Sequence, residues 1–162
     1  MVESNGFTHL DKNGQTRMVD VGDKLSTKRV AIAVGKILMQ KKTFKLIADK
    51  KIKKGNVLET ARIAGIMATK KTSEIIPMCH PLNVTHIKID FEFDKKALAI
   101  DIEAKVSLIG KTGVEMEALT AVLVSGLTIY DMCKSYDKTM QLTDIYLKYK
   151  SGGKNGTYDL QK

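Results

Sequence analysis

Two neighbouring segments of the sequence alternate between apolar and polar side chains. Apolar residues stand at every second position from Ile87 to Phe93 and again from Ile100 to Val106, with charged residues between them. A period of two predicts β-strands with one buried and one solvated face. The polar turn Asp94-Lys95-Lys96 joins the two segments, so we predict an antiparallel hairpin.

A polar cap predicts the start of the first long helix. Asn56 is followed three residues later by Glu59, which is the spacing of a capping pair. Helix-forming residues continue from there until shortly before Pro77. The preceding segment, residues 41–54, is rich in lysine and is expected to include a short helix.

A second capping pattern lies further along the chain. Thr112 with Glu115 has the spacing of a capping box and predicts a long helix that ends near Lys134. Ahead of both helices, residues 17–21 and 30–39 have the composition of strands.

The last predicted strand changes phase along its length. Apolar residues before and after Thr143 follow opposite alternations, and a β-bulge near that residue explains the change. From residue 28 onward the predicted order is β, α, β, β, α, β, which is typical of a split βαβ arrangement with helices on one face of an antiparallel sheet. We therefore predict one α+β domain over residues 1–162, with an N-terminal arm at about 1–15 and a mobile tail at about 151–162.

Composition is that of an ordinary globular protein. The chain has 162 residues, 43% hydrophobic and 28% charged, which suits one domain with a substantial core. The first twenty residues carry charges and no continuous apolar run, so no signal peptide is expected. The most apolar stretch, Ala118 to Tyr130, is interrupted by hydroxyl side chains and is too short to cross a bilayer. With two cysteines and no export signal, a cytoplasmic protein without a membrane partner is expected.

The formal net charge of +9 favours a negatively charged partner. Nucleic acid, a membrane surface and a small phosphorylated ligand all fit that charge. Nine aromatic residues and no tryptophan offer little for stacking on bases, which disfavours nucleic acid. No Walker-type or dinucleotide glycine pattern occurs, so a nucleotide ligand would be held by side chains.

The segment IPMCHPL, residues 76–82, places a cysteine and a histidine between the chain's two prolines. Cys79 and His80 could form a metal site, a nucleophile with its base, or part of a rigid binding wall. Two cysteines and three histidines at these spacings form no closed zinc pattern, so no metal is expected. Adjacent residues of an extended segment point to opposite sides, which disfavours a nucleophilic pair. By itself the segment favours a buried cysteine and a histidine bonded to backbone.

The long helix carries candidates for acid–base chemistry. Asp131 and Lys134 are three residues apart and share a helix face. They form either an acid–base pair, which needs Asp131 partly desolvated, or an ordinary surface ion pair, which is favoured without further information. Glu117 lies in the first turn, where carboxylates suit the helix dipole. It stands ~21 Å from Asp131 at ~1.5 Å per residue, so one helix cannot bring both carboxylates to one small molecule.

The basic residues divide into two groups by position. Those at the ends of elements or beside a glycine are better placed to bind phosphate, namely Arg29, Lys53, Lys54, Lys70 and Lys71. Those inside the lysine-rich segment are expected to form a solvated face, namely Lys41, Lys42, Lys45, Lys50 and Lys51.

Four longer motifs follow one another along the chain: FTHLD...MVDV, KGNVLETARIAGIMATKKTSEIIPMCHPL, GKTGVEMEALTAVLVSGLTIYDMCK and YKSGGKNG. Together they resemble the molybdenum cofactor biosynthesis protein C family, the cyclic pyranopterin monophosphate synthases. The resemblance covers nearly the whole chain and is weakest at Lys41–Lys53.

This resemblance implies a ferredoxin-like α+β subunit assembled as a homohexamer, a trimer of dimers. It implies a small-molecule triphosphate substrate, 3′,8-cyclo-7,8-dihydroguanosine triphosphate, which is converted to cyclic pyranopterin monophosphate with release of diphosphate. No cofactor is implied, although Mg²⁺ can accompany the triphosphate. By motif, the catalytic residues would be Asp131 as the active-site acid, with Lys54 and Lys134. Substrate would be contacted by Met78, Cys79, His80, Met116 and Glu117, with Arg29, Lys70 and Lys71 as further binding candidates.

Two other functions fit parts of the sequence. A basic nucleic-acid-binding domain without catalysis would bind long RNA or DNA with an affinity that falls steeply with salt. A structural oligomerisation module would bind neither substrate nor nucleic acid. If Glu117 and Asp131 both contact one substrate, they must come from different subunits.

Overall fold

The computed structural model describes residues 13–154 and 156–160 of the chain. Its elements, in chain order, are β1 (Thr27–Leu38), α1 (Lys41–Ala48), α2 (Val57–Thr69), α3 (Thr72–Ile75), β2 (His86–Asp94), β3 (Ala99–Gly110), α4 (Glu115–Cys133), β4 (Gln141–Ser151) and β5 (Tyr158–Asp159). Most of the predicted arm, residues 1–12, lies outside the described part, as do residue 155 and residues 161–162.

β1 lies at the centre of an antiparallel sheet with the strand order β2-β3-β1-β4-β5. β2 and β3 form the predicted hairpin, in which Ile89 lies opposite Ala104. The predicted bulge in β4 is confirmed, because the β1–β4 register shifts between Thr143 and Tyr146, where Asp144 has a φ of 52°. The order of the first four strands is that of the split βαβ arrangement, and the predicted α+β class is confirmed.

The alternation of side chains along the strands separates an apolar face from a polar one. Ala31 and Ala33 of β1 are fully buried, and α2 and α4 cover this side of the sheet. The opposite face carries exposed ion pairs such as Lys148 Nζ to Glu103 Oε2, at 2.8 Å. The sheet therefore has one dry face and one solvated face, as the period of two predicts.

The two long helices pack closely because small residues line their contact. A Cβ on Gly65 of α2 would lie 2.9 Å from the carbonyl oxygen of Ala121 and 2.3 Å from Ser125 Oγ in α4. The absence of that side chain lets the helices approach. α4 is long and apolar enough to cross a membrane by composition, yet just over half of it, 56%, is buried inside the fold. Its contacts with three strands and α2 are those of a core helix.

Two predictions about element boundaries need correction. Residues 17–21 form no strand; Thr16 makes a single bridge, and the Val19 carbonyl accepts a hydrogen bond from the His80 side chain instead of a neighbouring strand. The first helix is shorter than predicted, because α2 ends at Thr69 and the four-residue α3 follows.

The caps of the two long helices differ in outcome. Asn56 Oδ1 accepts from the Glu59 amide at 3.3 Å, so the first predicted cap is confirmed. The second is wrong, because Val114 is the N-cap of α4 and makes no side-chain cap bond. The Glu115 carboxylate binds Lys150 Nζ at 2.9 Å instead of closing a capping box.

Candidate active site

α2 and α4 run antiparallel, and this pairing decides which candidate residues come together. Ser125 Oγ in the middle of α4 donates to the Ala61 carbonyl of α2 at 3.2 Å, and one helical turn further along α2 Gly65 faces Ala121. The C-terminal end of α2 therefore lies beside the N-terminal end of α4. Lys70 and Lys71, which are both exposed and follow α2, lie at that same end.

Glu117 is the most buried of the candidate site residues, with 4% of its surface exposed. Burial raises the pKa of its carboxyl group above the ordinary value, and the neighbouring Glu115 carboxylate raises it further. Cys79 lies near enough to be affected: burial, and then the charge of Glu117, raise the pKa of its thiol. Met116, 38% exposed, lies beside Glu117 at the helix surface.

The proline-bracketed segment contributes to this end of α4 as well. Met78, Cys79 and His80 are each half-buried, and the Cys79 amide closes a turn on the Ile76 carbonyl at 3.1 Å. His80 Nε2 donates to the Val19 carbonyl at 2.8 Å, as expected for a histidine bonded to backbone. Within the described part of the chain, no group of three or more His, Cys, Asp or Glu side chains is arranged to hold a metal ion. We call Met78, Cys79, His80, Met116 and Glu117 the amino-end cluster.

Arg29 lies in a cleft of ≈ 850 Å³ beside the start of α4. Its guanidinium donates to the carbonyl oxygens of Gly110, at 3.3 Å, and Lys111, at 3.2 Å, which fixes its position at the wall. Four lysines that sequence reasoning had not singled out also line this basic cleft, namely Lys24, Lys111, Lys150 and Lys154. Two of them belong to the motif YKSGGKNG, whose glycines were the available signal.

The other end of α4 holds a second group, Lys54, Asp131 and Lys134, which we call the carboxyl-end cluster. Lys134 Nζ lies 2.7 Å from Asp131 Oδ1. Lys54 Nζ donates to the Asp131 carbonyl oxygen at 2.9 Å and lies 3.4 Å from Oδ2. The hydrogen bond from Lys134 and then the charge of Lys54 lower the pKa of Asp131, and the carboxylate in turn raises the pKa of Lys134.

Asp131 is not desolvated within one subunit. Its side chain is 57% exposed, Leu127 is 60% exposed, and Met132 points into the core with 5% exposed. Neither Leu127 nor Met132 therefore shields the carboxylate from water. In the single chain the carboxylate is therefore an anion between two ammonium groups.

A tight turn delivers Lys54 to Asp131. The Gly55 amide bonds back to the Ile52 carbonyl at 3.1 Å, and Gly55 has a φ of 104°, a conformation that favours glycine. The Lys53 amide lies 3.3 Å from the hydroxyl of Tyr136, just beyond the end of α4. The carboxyl-end cluster is thus fixed by backbone contacts on both of its elements.

Taken together, these features are those of an α+β enzyme that binds an anionic substrate and moves protons. Cations line the basic cleft, and lysines flank a carboxylate at the far end of α4. A buried carboxyl group with a raised pKa completes the set.

Comparison with known proteins identifies the family. The model of the MoaC family matches residues 18–153, and the chain belongs to that family. A cyclic pyranopterin monophosphate synthase from Desulforapulum autotrophicum is 62% identical over 152 residues, 94% of this chain and 93% of the relative. Proteins of the same name from Desulfatibacillum aliphaticivorans and Clostridium botulinum are 58% and 54% identical, over 94% and 95% of this chain and 96% and 97% of the relatives. The family resemblance of the four motifs is thereby confirmed.

Proposed function

We propose that this chain is a cyclic pyranopterin monophosphate synthase of molybdenum cofactor biosynthesis, a phosphorus–oxygen lyase. Its substrate is (8S)-3′,8-cyclo-7,8-dihydroguanosine 5′-triphosphate, and its products are cyclic pyranopterin monophosphate and diphosphate. The single observation that carries the proposal is the near-complete match to relatives of that name, 62% identical in one case.

The two ends of α4 have different functions: one binds the triphosphate and the other transfers protons. The basic cleft binds the triphosphate, because guanidinium and ammonium groups bind phosphate oxygens strongly. A ribose hydroxyl attacks the nearest phosphorus, the bond to the next phosphate breaks, and diphosphate leaves. Lys54 and Lys134 donate protons while the purine-derived ring opens and re-forms, and Asp131 accepts a proton and holds the two ammonium groups in place.

The active site is completed across a two-fold axis. Glu117 and Asp131 lie at opposite ends of one helix, ~21 Å apart at ~1.5 Å per residue. Between these ends, α2 and α4 expose an apolar stripe made of Ile63, Met67, Leu123 and Leu127, which are 59%, 56%, 46% and 60% exposed. A second copy of the chain packs on this stripe so that the α4 helices of the two subunits run antiparallel. This arrangement brings Glu117 of one subunit to Asp131 of the other.

That dimer is the unit of a homohexamer, a trimer of dimers, in the cytoplasm. Covering the stripe also removes water from Asp131, which brings its pKa back towards the range of a working acid. The protein itself carries no cofactor in this proposal, and Mg²⁺ enters only as a companion of the triphosphate, bound by phosphate oxygens.

The direct test is incubation of the purified protein with the cyclised guanosine triphosphate. We expect stoichiometric release of diphosphate together with the oxidisable pterin product, detected by chromatography. The Asp131→Asn protein serves as the matched control, because it keeps the fold and both lysines. Absence of both products with folded, oligomeric protein would refute the proposed function.

A further inference from the structure

Most of the chain's net charge can be assigned to one short segment. Residues 41–54 contain seven lysines and one aspartate, a net charge of +6 out of the +9 of the whole chain. All seven lysines are exposed. Of these seven lysines, only two form ion pairs with a described residue: Lys51 with Asp49, at 3.5 Å, and Lys54 with Asp131. Five ammonium groups therefore face solvent without a carboxylate beside them.

This segment arches over the carboxyl-end cluster, because both of its ends are fastened just beyond α4. At one end the Gln40 amide donates to Asp137 Oδ2 at 2.8 Å. At the other end the Lys53 amide meets the Tyr136 hydroxyl at 3.3 Å. α1 has eight residues and spans about 12 Å at ~1.5 Å per residue, so its lysines stay close to Lys54. We call residues 40–54 the lysine arc.

The large apolar side chains of the lysine arc pack against the core of the protein. Its charged side chains are therefore left exposed for binding. Thr43 and Ile47 are buried, and the Phe44 ring packs edge-on against Phe93 with centroids 5.3 Å apart. Phe44 is the one aromatic residue of residues 40–54, so no ring is free to stack on a base. A small polyanion suits such a surface better than single-stranded nucleic acid, which uses aromatic platforms.

We propose that the lysine arc captures the triphosphate by electrostatic steering towards the carboxyl-end cluster, and that the lysines of the arc other than Lys54 do not contact the substrate in the reacting complex. This inference rests on the proposed function and adds a residue set to it. A concentrated positive field beside a site raises the association rate of an anion, and salt removes the effect because the Debye length is only about 8–10 Å at physiological salt.

The experiment measures association of GTP carrying an N-methylanthraniloyl group, by stopped-flow fluorescence at about 20 mM and about 500 mM salt. In the test variant Lys41, Lys42 and Lys45 are changed to Gln, which keeps helix propensity similar. The charge-matched control changes Lys88, Lys105 and Lys148 to Gln on the open face of the sheet. A third variant changes Lys41, Lys42 and Lys45 to Arg, which keeps the charge.

At low salt we expect the arc variant to associate about fivefold more slowly, the control variant less than about twofold more slowly, and the Arg variant at the parent rate. At high salt all four proteins should agree. Equal slowing in the arc and control variants, or no slowing in either, would overturn the inference.

A second arm separates this inference from nucleic-acid binding and from the proposed function. If the arc variant lost binding to a 30-nucleotide RNA while its GTP association stayed unchanged, the arc would be a nucleic-acid surface and the inference would be wrong. If the unmodified protein failed to bind the probe at low salt, the inference would be wrong, whereas the proposed function would still be decided by release of diphosphate and the pterin product from the cyclised guanosine triphosphate. Binding by all proteins at equal rates would overturn the inference alone.

Discussion

The two ends of α4 hold carboxyl groups in opposite environments. Glu117 is 4% exposed and burial raises its pKa, whereas the Asp131 side chain is 57% exposed and Lys134 and Lys54 lower its pKa. The same kind of side chain on one helix therefore has its pKa shifted in opposite directions. Burial favours the protonated form of Glu117, whereas the two ammonium groups favour the anionic form of Asp131 in a single subunit.

Under the proposed function, neither end of α4 is a complete site. The amino-end cluster has a buried carboxyl group and lies beside the basic cleft, whose cations we propose bind phosphate. The carboxyl-end cluster has two ammonium groups on a carboxylate, yet it is open to water. Each end supplies what the other lacks, which fits a site formed from the opposite ends of two copies.

The largest effect should come from removing the Lys54 ammonium group, which connects the turn before α2 to Asp131 in α4. Lys54→Ala deletes the ammonium group that bonds to Asp131 and should abolish product formation. Lys45→Ala removes the same charge from the lysine arc and should change turnover by less than about twofold, because six other lysines maintain the field. Diphosphate release assays compare the two, and equal losses would mean that Lys54 acts only through bulk charge.

Asp131→Asn should lower turnover by ~10²-fold or more while fold and assembly are kept, since this is the usual scale for a positioned acid or base. The amide still accepts a hydrogen bond from Lys134 but neither carries charge nor exchanges a proton at neutral pH. Steady-state kinetics and the oligomer size, measured together, check the prediction. A folded Asp131→Asn protein with near-normal turnover would leave Asp131 as an ordinary surface ion pair.

Cys79 provides a smaller effect at the amino end. Its pKa is raised by burial and by Glu117, which favours the protonated thiol at neutral pH and disfavours a role as nucleophile. Cys79→Ser should therefore keep at least about a tenth of the parent turnover, whereas a thiol nucleophile would lose ~10³-fold or more. Turnover of the serine variant distinguishes the two roles. Complete inactivity of a folded protein would contradict a role for Cys79 as part of a rigid binding wall.

The buried carboxyl group of Glu117 should make the free energy of unfolding depend on pH. The pKa of Glu117 is higher in the folded chain than its unfolded value of 4.5, so the folded state holds this proton more firmly. The contribution of Glu117 to stability falls as pH rises from 4.5 through the folded pKa. Glu117→Gln should therefore raise the free energy of unfolding by about 1 kcal/mol at pH 8 and change it little at pH 4. Urea unfolding at the two pH values measures this, and a destabilised variant at pH 8 would show that the carboxylate is satisfied.

Sequence patterns predicted most of the fold because its signals are local. The period of two in β2 and β3, the Asn56 cap and the phase change at Thr143 each depend on neighbouring residues, and each is found in the structure. The Thr112 capping box failed because a distant residue, Lys150, binds the Glu115 carboxylate. Such competition between partners far apart in sequence leaves no local pattern.

The site was predictable in its residues but not in its grouping. The motif at Asp131 and Lys134 gave the i, i+3 pair that the structure contains. The contact of Lys54 with Asp131 joins residues 77 positions apart, and only the turn at Gly55 and the antiparallel pairing of the helices produce it. The four lysines of the basic cleft come from three separate parts of the chain, so no spacing could have assembled them.

The most direct measurement for a site shared between subunits is complementation between two inactive variants. Glu117→Ala and Asp131→Ala proteins, each inactive alone, are unfolded, mixed in equal amounts and refolded, and mass spectrometry confirms mixed oligomers. A mixed dimer has one site with both lesions and one with neither, so random pairing should restore about a quarter of the parent activity. Activity that stays at the background of either parent in confirmed mixed oligomers would contradict the shared site, and the two ends of α4 would then not serve one substrate.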